Sequence, residues 1–210
     1  MNQEEIMYIQ RSIDQQLLEW KQSSVHKPLL LRGARQVGKS SAIRHLGETF
    51  RHYIEVNFEK RPELKELFEK TSDVHQLAAR LGMLYNVPIE AGKTLVFLDE
   101  IQACPEAIKS LWFFKEDFPE LHVVAAGSLL EFALKELTSY GVGRIRSLFM
   151  YPLSFDEFLQ AQGKASWIEE KRKADHNHPL FEALHQELVQ QYRTFLMVGG
   201  MPASVVAWLE

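Results

Sequence analysis

The stretch LLLRGARQVGKSSAIRHL, residues 29–46, constrains this chain more than any other. Three leucines lead into a loop bounded by Gly33 and Gly38, and a helical periodicity begins at Lys39. The loop has the form G-x-x-x-x-G-K-[ST], whose glycines let the backbone turn tightly so that its N–H groups converge on a phosphate. A helix opening at that point adds the positive end of its dipole. Such a loop demands a strand before it and a helix after it, and both patterns are present. Gly33, Ala34, Arg35, Gln36, Val37, Gly38, Lys39, Ser40 and Ser41 are therefore the candidate nucleotide-binding residues. Lys39 is expected to reach the β- and γ-phosphates and the Ser40 hydroxyl to ligate Mg2+. Arg35 in the loop and Arg44 on the helix either add positive potential or stand in solvent.

The remaining chain alternates in the way an α/β fold requires. Ile6, Ile9, Ile13, Leu17 and Trp20 mark one face of a helix from Glu4 to Trp20. YIEVNF reads as a second strand, and PELKELFEK and DVHQLAARLGMLY as helices, the latter capped by Asp73. TLVFLDE is a continuous apolar run ending in two carboxylates, the pattern of a strand buried on both faces. A helix over Pro105–Asp117, a strand HVVAAG, a helix SLLEFALKEL and a strand RIRSLFMYPL follow. This order predicts a parallel sheet with right-handed crossovers. Beyond Pro152 the pattern becomes helical, opening with Ser154 and Glu157 at capping-box spacing. GGMP breaks the chain before a last helical run. The expected division is an amphipathic helix over 1–24, the α/β core over 25–153 and a helical region over 154–210. The final run is cut at Glu210, as at the front part of a longer protein.

The two acids supply the complement to the phosphate loop. Asp99 comes to the C-terminal end of its strand, where ligands sit in open α/β sheets, and is expected to hold Mg2+. Glu100 adds a second carboxylate suited to deprotonating an attacking water. That role favours hydrolysis over transfer to a bound acceptor, and so an ATPase over a small-molecule kinase. Ser128, at the end of HVVAAG, fits a polar position beside the γ-phosphate and equally well the cap of the following helix. Gln102 is a further candidate for positioning water.

Taken in order, RGARQVGKSS, LVFLDEIQACPE, VVAAGSLLEF, GVGRIRSLFMYPLSFDEFL and FLMVGGMPASV resemble a family of prokaryotic AAA-superfamily ATPases. In that family the ATPase domain is followed by a helical region and a C-terminal domain of unknown function. The likeness is strong from about Pro28 to Pro152 and returns at PLSFDEF and GGMP. The first two motifs are common to many ATPases, and the tail narrows the choice. The resemblance implies a P-loop three-layer sandwich with strand order 5-1-4-3-2, and ATP with Mg2+ as the ligands. It also implies a protein partner or C-terminal domain that the ATPase drives or gates. The family's large C-terminal domain is absent from these 210 residues. Arg144 matches the arginine of the family's GR pair. In related ATPases an arginine just before the last strand reaches a neighbouring subunit's γ-phosphate, which leaves a homo-oligomer open. The plainer reading places Arg144 and Arg146 on one polar face of an edge strand.

Composition bounds the alternatives. A net charge of −4 argues against a broad nucleic-acid footprint, although a DNA-associated ATPase stays among the rivals. Apolar windows far shorter than the roughly 20 residues of a membrane span, an N-terminus without a signal-peptide pattern and the lone Cys104 suggest a cytoplasmic protein without a membrane partner. His176, His178 and His185 lack the spacing of a metal site and read as solvated. Trp112, Phe113, Phe114 and Phe118 read as core packing. A nucleotide-gated switch with little intrinsic hydrolysis is the main rival to the ATPase.

Overall fold

The central strands of the α/β unit are built from residues that only a fully covered sheet can use. The computed structural model describes residues 8–128 and 143–210, and these form two compact units. The larger, Ile13–Met150, holds a five-stranded sheet. Its strands are β1 (Leu29–Arg32), β2 (His52–Asn57), β3 (Thr94–Asp99), β4 (His122–Ala126) and β5 (Arg146–Phe149). All neighbours are parallel and the order is β2-β3-β4-β1-β5, the expected order read from its other edge. Every residue of β3 and β4 is buried, whereas β2 and β5 alternate, as edge strands do. β4 therefore separates the strand that feeds the loop from the strand that ends in the acids.

Helices α2 (Lys39–Gly47), α3 (Lys65–Glu69), α4 (Val74–Tyr85) and α5 (Pro105–Asp117) accompany the sheet. The Asp73 carboxylate caps α4 by accepting from the His75 and Gln76 N–H groups, as expected. One main core joins alternate residues of β2, β3 and β4 to Phe68, Leu77, Leu81, Leu111 and Phe114. Of the aromatic set on and after α5, only Phe114 is buried. Phe113 and Phe118 pack at the margin of that core, and Trp112 lies under the Arg144 guanidinium. Cys104 is buried and its thiol is pushed up by burial, which keeps it unreactive. The helix expected over SLLEFALKEL lies outside the described residues.

Helix α1 (Ser12–Gln22) is shorter than its periodicity predicts. Residues 8–11 are not helical, and residues 1–7 lie outside the described set. Ser12 gives both its N–H and its hydroxyl to Glu157, and Arg11 gives a hydrogen bond to the Tyr151 carbonyl. Ile9 keeps its burial by joining another cluster, so an apolar period matching a helix here belongs partly to irregular chain.

Trp20, fully buried, donates its indole N–H to the Lys27 carbonyl and meets the His122 ring edge to face. His26 stacks on His122 at 3.8 Å. Burial, and then the neighbouring His26, lower His122 to about 4. The unfolded chain therefore takes up this proton first, and stability falls as the pH drops from about 6.5 toward 4. This one group accounts for a loss of about 2–3 kcal/mol across that window. Thermal melts at neutral and acid pH read the loss, and His122→Phe is expected to flatten it.

The second unit comprises residues 8–12 with Tyr151–Glu210. It contains α6 (Phe155–Ala161), α7 (Ala165–Lys173), α8 (Glu182–Val198) and α9 (Pro202–Leu209). Ser154 and Glu157 form the expected capping box. Gly200 lies against the backbone of Leu153, whose N–H it accepts at 2.6 Å, and a Cβ there would stand 2.4 Å from the Leu153 carbonyl. That contact gives the separated PLSF and GGMP segments a common physical reason. Ile9, Leu153, Phe158 and Val205 form the core beside it.

Candidate active site

Parallel pairing brings the loop and the acids to the same end of the sheet. β1 runs out at Arg32 into Gly33, and α2 starts at Lys39. Lys39 is buried, and its ammonium donates to the Gly33 carbonyl at 2.9 Å and the Ala34 carbonyl at 2.7 Å. Burial lowers its pKa, against the raising influence of Glu100 and Asp99. Val37 is buried beneath the loop, and Gln36 takes a left-handed conformation at φ 62°.

Ser40, the next residue of α2, places its hydroxyl 3.0 and 3.2 Å from the two Asp99 carboxylate oxygens. Asp99 is only 4% exposed, and burial raises its pKa despite hydrogen bonds from Ser40 and Asn57. A buried carboxylate beside a hydroxyl is an all-oxygen donor pair, the chemistry a hard divalent cation requires. The same burial that disfavours the bare carboxylate favours its pairing with a cation.

Asn57 was not among the residues singled out from the sequence. It ends β2 in register with Asp99, and its amide donates to Asp99 Oδ2 at 2.9 Å. Its own oxygen accepts from the Glu59 and Lys60 N–H groups, which fixes which end of the amide faces the acid. The available signal was the polar residue closing the YIEVNF alternation on a strand paired with the acid strand. If a cation is held at Asp99, Asn57→Ala is expected to weaken nucleotide binding in its presence by about tenfold, the usual effect of losing an outer-sphere partner. Titration with and without Mg2+ measures it.

Glu100 follows β3 directly and stands in the left-handed region at φ 50°. Non-glycine residues held there are concentrated at functional sites. Its carboxylate accepts from the Gln102 amide at 2.6 Å. Ser128, 3% exposed, accepts from Arg35 Nε at 3.2 Å. Gly33–Ser41, Asp99, Glu100 and Ser128 are thus gathered around one end of β1, β3 and β4. Arg44 is engaged otherwise, held by both Glu55 oxygens at 2.7 and 2.8 Å. Arg144 stands in the turn before β5, donates to Glu116 and covers the Trp112 ring. His176, His178 and His185 are exposed, and His178 lies against Asp175.

The fold and the gathered loop define a P-loop nucleotide-binding protein. The profile of the AAA domain family matches residues 25–159, and the chain belongs to that family. Family membership carries ATP binding and ATPase chemistry at the level of the family. Among solved structures the chain is similar to the Walker-type ATPase PABY2304 of Pyrococcus abyssi. The TM-score is 0.57 at 21% identity, covering 95% of this chain and 66% of that one. At that identity the likeness concerns the fold, and this chain spans slightly less than two thirds of its neighbour's length. No curated protein matches the chain. No helix among the described residues is long and apolar enough to cross a membrane.

Proposed function

We propose that this chain is a Mg2+-dependent ATPase that hydrolyses ATP to ADP and phosphate. The observation that carries the reading is the Ser40–Asp99–Asn57 arrangement beneath the phosphate loop. Ser40 and Asp99 would hold Mg2+, which when bound supplies positive charge to the phosphate oxygens. The N–H groups of the loop and Lys39 bind the phosphates, with the ammonium exchanging the Gly33 and Ala34 carbonyls for phosphate oxygens. Glu100 takes the proton of the attacking water. The helices after residue 153 pass the nucleotide state to a protein partner or a further domain. The test is equilibrium binding of ATP with and without Mg2+. Binding is expected to weaken about tenfold or more on chelation and about a hundredfold in Lys39→Ala. Equal affinity in wild type and Lys39→Ala refutes the reading.

One observation favours a second reading, a nucleotide-gated switch with slow turnover. The short Gln102 bond holds Oε2 of the Glu100 carboxylate and so restrains the base. Under this reading Gln102→Ala raises the steady-state rate, whereas an unrestrained base leaves the rate unchanged or lowered.

A further inference from the structure

We propose that Arg35 is the chain's own reader of the terminal phosphate, and that Ser128 acts on that phosphate only by seating Arg35. The inference rests on the ATPase reading and assigns within it the discrimination of a nucleoside triphosphate from a diphosphate.

The geometry begins with strand pairing. Leu31 is in register with Ala126, so Gly33 and Ser128 leave the sheet side by side. Arg35, two residues into the loop, bridges the gap by donating Nε to the Ser128 hydroxyl oxygen at 3.2 Å. Using Nε in this way leaves both Nη groups, the planar pair of donors that takes two oxygens of one phosphate. A lysine in the same place has neither the seat nor the fork.

Charge separates this arginine from five of the others. Arg11, Arg44, Arg61, Arg144 and Arg172 each face a carboxylate, of Glu157, Glu55, Glu63, Glu116 and Asp156 respectively. Among the described residues Arg35 faces a neutral hydroxyl instead. The hydroxyl orients the guanidinium and leaves its charge uncompensated. The same loop holds the Lys39 ammonium, which rests on the Gly33 and Ala34 carbonyls. One loop thus carries two cations, and both attract an anion placed between them. A triphosphate brings one more phosphate to that point than a diphosphate does. Ser128 carries no charge of its own and its oxygen accepts from Arg35, and the double variant below tests whether the O–H it keeps acts on the phosphate by itself.

The test is equilibrium titration, in Mg2+, of the imido analogue of ATP and of ADP against wild type, Arg35→Ala, Arg35→Lys, Ser128→Ala and the double variant Arg35→Ala/Ser128→Ala. Arg35 is exposed, so its replacement leaves the core intact. Arg35→Ala is expected to lose about 10–100-fold on the ATP analogue and to bind ADP within about twofold of wild type. Arg35→Lys should recover little of the loss. Ser128→Ala should lose less than Arg35→Ala, and the double variant no more than Arg35→Ala alone. Equal losses on both nucleotides would make Arg35 a general source of positive potential and overturn the proposal. Additive losses would give Ser128 its own phosphate contact and overturn it as well. A wild type that holds neither nucleotide refutes the ATPase reading itself, and is told apart from the other outcomes because no variant is needed to see it.

Discussion

Glu100→Gln is expected to lower ATP turnover by about 10²–10⁴-fold while leaving nucleotide affinity within about threefold of wild type. The substitution keeps the size of the side chain and an oxygen that accepts from the Gln102 amide, now 2.6 Å from the carboxylate. It removes only the capacity to take a proton. The loop amides, Lys39, Ser40 and Asp99 are untouched, so the loss falls on the chemical step. Glu100 immediately follows a fully buried strand, and its left-handed backbone aims the side chain away from the line of β3. Single-turnover rates beside equilibrium affinities separate the two effects. An unchanged rate would mean that another group activates the water.

The second large effect is on the loop's foundation. In Gly33→Ala the added carbon would stand 2.1 Å from the Met150 carbonyl oxygen, at a φ of +149°. Met150 is main chain, tied by its own N–H to the Arg32 carbonyl at 2.8 Å, so it has no flexible end to move aside. The substitution is expected to cost about 3 kcal/mol or more and to weaken nucleotide binding by displacing the loop. Denaturant melts and ATP titration measure the two consequences. At Gly92, also at positive φ but with nothing within 4 Å, alanine should cost only about 1 kcal/mol. Similar costs at the two sites would show that the contact with Met150 does not hold the loop.

Gly33 also shows how far the sequence could be read. Its place in the phosphate motif was plain, because the motif is local and its spacing repeats a known chemistry. The close approach of Met150 was not, because it depends on β5 pairing with β1 across more than a hundred residues. The parallel sheet and its order were legible from strand–helix alternation and from the resemblance, and Asp99 and Glu100 from the apolar run before them. Asn57 escaped because a polar residue closing an edge strand is ordinary until the register sets it against Asp99. Arg35 and Ser128 were each legible as candidates, but their bond was not, being 93 residues apart in the chain. The start of α1 was misplaced for a different reason. Ile9 keeps the helical period yet is buried in irregular chain, and the carboxylate that receives Ser12 belongs to Glu157. Trp112 likewise matched a core period, while Arg144 covers its ring from the outside.

The most direct measurement is phosphate release from ATP by the full chain as Mg2+ is titrated. The account predicts turnover that saturates with ATP, rises with Mg2+ to a plateau, disappears on chelation and is abolished in Asp99→Asn. Turnover that is indifferent to Mg2+ and persists in Asp99→Asn, or tight Mg2+-dependent binding with no phosphate released even by Gln102→Ala, would contradict it.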